Sequence, residues 1–414
     1  MRKTRLAGVA VFLAAAVAIG GCGGGGGDAD ASNIDYWYWS DDATDNTIVE
    51  LAEEFKEQTG ITVTLQQIPN PQFYDKLITA TSGGQGPDAT HLFTPWLGQL
   101  LENNILAKID DQIEGWEGKD DVIPSMWNYV ESPDGSGTYA LPNKQLMFVL
   151  YYRKDLFDAA GVDVPATQDE FLEVAPKLYD PDNGHYAFDI RGGDNGQDQW
   201  AAFLVAGGAR FVNESGQVDF DSPESKAANQ KYVDMFQWAP PGSIGNGIGQ
   251  VKDNLNSGTA AMVIGHIGHS TEYVTKSGED AIGVAPIPST TPEDETTYLG
   301  SMNMNAVLES SDKKDAAFKW ISFLTEQKAQ KAITDSPDGY LPVVESVASD
   351  PDYADNPFFQ VSMEEQKRSI SWPALASTTV ATQQVWRPIM QKAFLEDADP
   401  DDVIVAMAEA LAEE

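Results

Sequence analysis

The succession of apolar periods near the start of the chain constrains its fold more than any other feature. Residues 34–39 alternate between apolar and polar in the way of a strand. Four apolar residues then recur at helical spacing, namely Ile48, Leu51, Ala52 and Phe55. Gly60 ends that helix, and the strand period resumes over 61–65. A strand, a helix and a second strand in succession predict a parallel pair with helices on both faces, so the fold class is α/β.

The alternation of strands and helices continues along the chain. Further helices are predicted over 72–81, 168–178, 199–206 and 223–238. Further strands are predicted over 89–93, 148–152, 186–190, 260–264 and 281–285. These segments form two α/β units, and no linker rich in Pro or Ser separates them, so the chain should cross between the units through short extended segments. The glycines of 242–249 fit no phosphate-binding spacing and predict a surface loop.

The N-terminus has the composition of a secretory leader. An apolar run over 6–19 follows three basic residues, Arg2, Lys3 and Arg5. Cys22, the only cysteine of the 414 residues, follows Gly20 and Gly21, a junction that resembles the lipobox of bacterial lipoproteins. We expect a signal peptide over 1–21, a lipidated Cys22, and a Gly-rich tether over 22–33. The mature protein is then expected outside the cytoplasm, held at the membrane by its lipid anchor.

Charge and cysteine content exclude several classes of partner. The chain has 64 acidic and 26 basic residues, a formal net charge of −38. Such a charge repels nucleic acid phosphates and anionic lipid, so neither is expected as a partner. With no cysteine beyond Cys22, the mature chain has neither a disulfide framework nor a cysteine zinc site, and its stability depends on packing.

The acidic excess predicts stabilisation by salt. Raising KCl from about 0.1 M to about 1 M shortens the Debye length from about 10 Å to about 3 Å, which screens self-repulsion. The midpoint of thermal unfolding, followed by circular dichroism, should therefore rise with KCl. We hypothesise that the acidic excess suits a saline medium. An unchanged or lower midpoint at high KCl would contradict this hypothesis.

Aromatic and acidic side chains follow the predicted strands at the ends where ligands bind in open α/β sheets. Trp39, Asp41 and Asp42 follow the first strand, Trp96 follows 89–93, and Trp200 lies near the start of a helix. Flat aromatic faces suit the C–H patches of a sugar ring, and carboxylates accept hydrogen bonds from its hydroxyls. Core packing of the tryptophans and capping of the next helix by the two aspartates are the alternatives.

No pattern typical of catalysis stands out. Paired acids invite comparison with glycosidases, but only their abundance supports it. His266 and His269 have a spacing that could place two imidazoles near one metal, whereas zinc generally needs three or four ligands. We expect His266 to donate a hydrogen bond to a ligand instead. No nucleophile elbow, HExxH motif or phosphate loop is present, so we predict binding without turnover, with no catalytic residue, metal or cofactor.

Several segments, in order, resemble the family 1 extracellular solute-binding proteins of ABC importers, the maltose-binding-protein-like group. The resemblance runs from about Ile34 to the C-terminus and rests on FKEQTGITV (55–63), GPD (86–88), NILAKID (104–110), YYRKDLFDAAGVDVPATQDEF (151–171), AGGARF (206–211), GTAAMVIG (258–265), GVAPIP (283–288) and GYLPV (339–343). Each segment alone is weak evidence, but their order and spacing are specific to the family.

The resemblance implies a two-lobed periplasmic-binding-protein-like fold of type II, with a sugar bound between the lobes. It places the N-terminal lobe at 34–144 plus 303–340, the C-terminal lobe at 149–299 plus 345–414, and hinge crossovers near 142–149, 299–303 and 340–345. It implies a monomer whose partners are a sugar and the permease subunits of the importer. By matching position, the implied ligand contacts are Trp39, Asp41, Asp42, Trp96, Trp200, His266 and Trp372. Ser301, beside a hinge, is a further candidate.

The sequence departs from the family pattern at two positions of that site. His266 and the two residues after it stand where many relatives have a Trp, and 146–149 is apolar where maltose binders place an acid. The ligand therefore need not resemble maltose. Glycerol 3-phosphate and a polyamine are alternatives in the same fold, and a secreted carbohydrate-active enzyme is the alternative from another class.

Overall fold

The computed structural model describes residues 32–40, 45–132, 134–213, 215–290, 296–336, 340–395 and 398–413. The strands within these residues are β1 (Asn33–Tyr38), β2 (Thr62–Gln67), β3 (Ala89–Phe93), β4 (Leu141–Arg153), β5 (Tyr186–Phe188), β6 (Ala260–His266), β7 (Ile282–Ala285), β8 (Tyr298–Val307) and β9 (Ser369–Ile370). They pair in the order β2-β1-β3-β8-β4-β6-β5, with β7 beside β4 and β9 beside β8. β1 pairs in parallel with β2 and β3, as the succession of strand, helix and strand predicts.

Helices surround this sheet. They are α1 (Thr47–Thr59), α2 (Asn70–Ser82), α3 (Leu97–Glu102), α4 (Asp110–Glu114), α5 (Lys154–Ala160), α6 (Gln168–Leu178), α7 (Gly196–Ala206), α8 (Pro223–Asp234), α9 (Ile248–Ser257), α10 (Ser270–Ser277), α11 (Lys314–Leu324), α12 (Gln327–Thr334), α13 (Glu345–Ala348), α14 (Pro351–Ala354), α15 (Pro357–Gln366), α16 (Thr378–Val380), α17 (Trp386–Leu395) and α18 (Asp401–Ala412). Short 3₁₀ turns at Thr94–Trp96 and Ile267–His269 follow β3 and β6 directly. Over the described ranges, no helix combines the length and apolarity needed to cross a bilayer.

The first helix shows how local sequence sets the N-terminal fold. The four apolar residues at helical spacing are the buried face of α1. Gly60 ends the helix with φ 76°, a left-handed conformation that glycine adopts without strain, and its N–H bonds to the carbonyl of Lys56. The buried face packs on the sheet and on α11, where Trp320 contacts Phe55 edge to face at 5.3 Å. The prediction for this segment is confirmed.

Strand β4 joins the two halves of the sheet. Its first residues, Leu141–Met147, pair with β8, and Phe148–Arg153 pair with β6 and β7. We call the half that contains β1, β2 and β3 the N-terminal lobe, and the half that contains β5, β6 and β7 the C-terminal lobe. Helices α17 and α18 belong with the C-terminal lobe, because α18 packs on α8 and α17 packs on α7, whereas α16 packs both on α18 and on α3 of the N-terminal lobe. Residues of β4 and β8 therefore lie where the lobes meet.

The segment 242–249 is more ordered than the prediction of a surface loop. Ser243–Gly245 forms a 3₁₀ turn, and α9 begins at Ile248. The buried carboxylate of Asp189, at the end of β5, accepts hydrogen bonds from Ser243 Oγ at 2.8 Å and Asn254 Nδ2 at 2.6 Å. The prediction is corrected to a surface segment fixed from beneath by a buried acid, a contact between residues too distant in sequence to predict from local composition.

Candidate functional site

An aromatic cluster lies at the carboxyl ends of β1 and β3. Trp39 directly follows β1 and stacks on His91 of β3, with ring centroids 4.0 Å apart and planes 7° apart. Trp96, in the turn after β3, lies 5.2 Å from Trp39, and Phe73 of α2 packs edge to face on Trp39 at 4.8 Å. Only 4 % of Trp39 and 6 % of Trp96 is exposed. The structure thus brings two predicted site residues into one cluster.

The central strands place polar side chains between the lobes. In the pairing of β4 with β8, Lys144 stands opposite Asn303 and Leu146 opposite Ser301. Directly opposed residues of an antiparallel pair project from the same face, so these four side chains share a face. Ser301 is buried, and its Oγ has no hydrogen-bond partner among the described residues. A buried hydroxyl of this kind is suited to a ligand hydroxyl.

His266 carries the contact into the C-terminal lobe. It ends β6 opposite Phe148 of β4, and its ring lies 3.7 Å from that of His269. It stacks on Tyr340 with centroids 5.6 Å apart and planes 20° apart. The Lys144 ammonium lies 4.8 Å from the centre of the Tyr340 ring, a cation–π contact. Lys144, Tyr340 and His266 therefore form a continuous line from the central strands to the C-terminal lobe.

Burial keeps two histidines of this region uncharged. Desolvation holds the pKa of His91 well below its usual value, and the nearby positive charge of Lys144 lowers this pKa further. Desolvation lowers the pKa of His269 in the same way, with a smaller effect from His266. His91 Nε2 and His269 Nδ1 are buried and find no hydrogen-bond partner in the described part of the chain. Neutral imidazoles with such atoms can donate to, or accept from, sugar hydroxyls.

Metal binding finds no support in the described residues, since no group of three or more His, Cys, Asp or Glu lies close enough to hold an ion. His266 and His269 touch, but two imidazoles are fewer than a zinc site generally needs.

Trp372 is fixed by two contacts in the C-terminal lobe. Its Nε1–H donates to Asp198 Oδ1 at 2.8 Å, and its ring stacks on Phe211 with centroids 4.4 Å apart. Asp198 lies in the first turn of α7 and is buried. Burial raises the pKa of Asp198 to about 6, although the bond from Trp372 and the charge of Arg191 act in the opposite direction. The acid that orients this indole is therefore close to its midpoint of titration under mildly acidic conditions.

The raised pKa of Asp198 predicts a pH-dependent effect on stability. Its folded pKa of about 6 lies above the ordinary 3.8, so its charge destabilises the fold above pH 6, and that cost disappears as the pH falls towards 4. Asp198→Asn keeps an acceptor for Trp372 without the charge. In denaturant unfolding, this variant should exceed the wild type by up to about 3 kcal/mol above neutral pH and by nothing near pH 4. A difference that does not change with pH would contradict the assignment.

Trp200 lies in the core of the C-terminal lobe and not beside the other candidates. It is fully buried, its Nε1–H donates to Asn229 Oδ1 at 2.8 Å, and it packs on Phe220 and Trp386. It lies in α7, which is buried along its whole length. We therefore assign Trp200 a structural role and leave it out of the proposed site.

Three residues with predicted functional roles fall outside the described residues, namely Cys22, Asp41 and Asp42. Their predicted roles in lipidation and in ligand binding stay predictions.

Four residues of the site were not singled out by sequence reasoning, namely His91, Lys144, Asp198 and Tyr340. Lys144 and Tyr340 lie in segments predicted as hinge crossovers. Lys144 could have been identified from the sequence, because it is a charged residue just ahead of an apolar predicted strand. His91 lies within a short strand, where a buried histidine is ordinarily interpreted as a core residue. Asp198 is one acid among 64, and only its contact with Trp372 distinguishes it.

Comparison with known proteins gives a consistent result. The model of the family described as bacterial extracellular solute-binding protein matches residues 38–331. A mannitol-binding protein of Pseudomonas aeruginosa is 31 % identical over 264 residues, 60 % of this chain and 59 % of that one. A maltotriose-binding protein of Pyrococcus abyssi is 26 % identical over 313 residues, 74 % of this chain and 65 % of that one.

A solved structure establishes the architecture. An ABC transporter solute-binding protein from Thermotoga lettingae, bound with α-D-tagatose, superposes with a TM-score of 0.82. The superposition covers 92 % of this chain and 99 % of that one at 23 % identity. The predicted α/β class and the two-lobed fold of the maltose-binding type are confirmed.

Proposed function

Since this chain belongs to the family of bacterial extracellular solute-binding proteins, we propose that it is the substrate-binding subunit of an ABC importer that binds a sugar between its lobes. Like the other members of that family, it is a binding protein and not an enzyme. The ligand, a mono- or oligosaccharide or the corresponding polyol, binds reversibly and passes unchanged to the permease. Relatives that bind mannitol and maltotriose support this class of ligand.

The observation that carries the proposal is the set of side chains where the lobes meet. Trp39 and Trp96 supply aromatic faces for the C–H patches of a sugar. Ser301, His91 and His269 supply buried polar atoms that have no partner among the described residues and can bind hydroxyl groups. Apolar faces combined with directed hydrogen bonds suit a polyhydroxylated, uncharged ligand better than a purely apolar one.

The charge of this region distinguishes the alternative ligands. Lys144 is a buried cation on the face that the ligand would contact, so its charge repels a polyamine. A phosphate ester would need clustered Arg or Lys for bidentate or multiple contacts, and the contacts described above place one such side chain, that of Lys144, in the site. An uncharged sugar or polyol is therefore the class that we propose.

Closure of the lobes around the ligand couples binding to delivery. We propose lobes at 34–144 plus 303–340 and at 149–299 plus 345–414, with hinges near 142–149, 299–303 and 340–345. The change of pairing partner between Met147 and Phe148 of β4 supports the first hinge. Ligand that contacts both lobes favours the closed form, which the permease recognises. We also propose that the protein acts as a monomer, anchored outside the cytoplasm through lipidated Cys22.

A titration tests the function directly. Tryptophan fluorescence and calorimetry would be recorded with pentoses, hexoses, hexitols, maltose, maltotriose, glycerol 3-phosphate and spermidine, and each ligand would be recovered for chromatography. We expect at least one sugar or polyol to bind and to be recovered intact. Exclusive binding of the phosphate ester or the polyamine would contradict the ligand class, and hydrolysis of a glycosidic bond would contradict binding without chemistry.

A further inference from the structure

The two lobes touch backbone to backbone beside the candidate ligand contacts. Gly98 lies in the first turn of α3, two residues after Trp96, and a Cβ at this position would lie 2.4 Å from the carbonyl oxygen of Ala374 and 2.5 Å from the carbonyl carbon of Leu375. Real Cβ atoms do not approach backbone this closely. Only glycine permits the contact, and Ala374 itself lies two residues after Trp372.

A second contact fixes the same approach. Thr379 Oγ1, in α16, donates to the carbonyl oxygen of Pro95 at 3.2 Å, and this bond is buried. Trp96 is thus flanked on one side by Pro95 and on the other by Gly98, and both contact the segment 374–379 of the C-terminal lobe. The turn that holds Trp96 is therefore in direct contact with the segment that follows Trp372.

The aromatic residues do not form a row. Trp39 and Trp96 lie 5.2 Å apart and both pack on Phe73, so they make one platform. Trp200 is in the core, and His266 is the last residue of β6 and stacks on Tyr340. Binding of successive sugar units needs successive faces, because each ring stacks on its own aromatic partner. Trp372 is held inside the C-terminal lobe by Asp198 and Phe211. Trp39 and Trp96 are therefore the one tryptophan platform among the candidate contacts that the structure describes.

We propose that the site takes one sugar ring or a linear polyol of similar size, and that the contact between Gly98 and the segment 374–375 excludes longer oligosaccharides. This inference rests on the proposed function and narrows its ligand class. The lobes close completely over a short ligand because glycine at position 98 allows the backbones to meet. A bound trisaccharide would prevent the contact between Gly98 and the segment 374–375 from forming. The complex would then lose the binding free energy that the closed contact contributes.

The test compares the affinities for ligands of different length, in the wild type and in a matched pair of glycine variants. Calorimetry would give Kd for pentoses, hexoses, hexitols, maltose and maltotriose. In Gly98→Ala one methyl group obstructs the lobe contact, whereas a Cβ at Gly249, in the first turn of α9, has no described atom within 4 Å, so Gly249→Ala is the control. Thr379→Val, which removes only the bond to Pro95, is a second variant that tests the contact if Gly98→Ala folds poorly.

In the wild type, we expect a hexose, pentose or hexitol to bind at least about 100-fold more tightly than maltotriose. Gly98→Ala should weaken binding of the short ligand about tenfold or more by overpacking the closed contact, Thr379→Val should weaken it in the same direction, and Gly249→Ala should leave Kd unchanged. Maltotriose binding as tightly as the short ligands would overturn the size limit and leave the proposed function intact. Unchanged Kd in both contact variants would overturn the role of Gly98, and the absence of binding by every sugar would overturn the proposed function itself.

Discussion

Replacement of Trp39 by alanine is expected to weaken sugar binding about 100-fold, the largest loss of affinity for any single residue of the site. Trp39 stacks on His91 at 4.0 Å and contacts Phe73 and Trp96, so its removal takes away the platform and releases the imidazole beside it. Truncation of a central aromatic anchor costs about 2–3 kcal/mol or more in well-packed sites, and each 1.4 kcal/mol is about a factor of ten in Kd. Calorimetry with the tightest-binding sugar of the panel measures the loss.

Trp320→Phe is the matched control for that experiment. Trp320 is a buried tryptophan of the same lobe, but it packs on Tyr36 and Phe55 on the α1 side of the sheet. Its Nε1 has no acceptor among the described residues, so phenylalanine sacrifices no known hydrogen bond. We expect its Kd to match the wild type. If Trp39→Ala and Trp320→Phe lost the same amount of sugar affinity, the loss would be an effect of general destabilisation. Trp39 would then no longer count as a residue of the site.

Trp200→Ala is expected to show the opposite pattern, a large loss of stability with unchanged affinity. Its indole is fully buried between Phe220 and Trp386, and alanine would leave a cavity that costs about 3–5 kcal/mol. The change also leaves Asn229 Oδ1 without its donor, while the Asn229 amide ties α8 to the carbonyl of Pro400 at 2.6 Å. Denaturant unfolding measures the loss, and calorimetry below the unfolding transition measures Kd.

Trp200→Phe distinguishes the contribution of packing to stability from that of the hydrogen bond to Asn229. It keeps most of the volume and loses the bond to Asn229, so we expect a cost of about 1–3 kcal/mol from the unsatisfied buried oxygen. Both variants should bind sugar with the wild-type Kd while they are folded. A tenfold or greater loss of affinity with little change in stability would return Trp200 to the list of ligand contacts.

Local sequence was sufficient for the elements that have one buried face. α1 was predicted because its apolar residues share one side and Gly60 permits a left-handed cap, and the α6 prediction over 168–178 agrees with its observed bounds. β3 also has its predicted bounds, 89–93, although it is buried on both faces. For the two helices the period of the side chains carries the information, because it is set by the geometry of the element itself.

The central part of the molecule could not be predicted in this way. β8 is buried at every one of its ten residues, so it shows no alternation, and β4 extends seven residues ahead of the predicted start at 148. The contacts from Lys144 through Tyr340 to His266 join residues from three distant segments. The pairing of β4 with β6 and the bridge between Gln145 and Leu341 bring these segments together. Trp39 follows a predicted strand and Trp200 lies near the start of a predicted helix, and the sequence makes both candidate ligand contacts. Only their packing and hydrogen bonds in three dimensions distinguish the two.

The central claim is that a sugar held between the lobes draws them together. A distance between one spin label on each lobe tests it, at Glu53→Cys in α1 and Glu173→Cys in α6, both exposed positions, in a chain whose only natural cysteine is changed by Cys22→Ser. With saturating sugar, the distance distribution should narrow and shift to the value of the structure in which Gly98 contacts Ala374, and it should broaden to longer distances when the sugar is removed. A distribution that is the same with and without bound sugar would contradict the account.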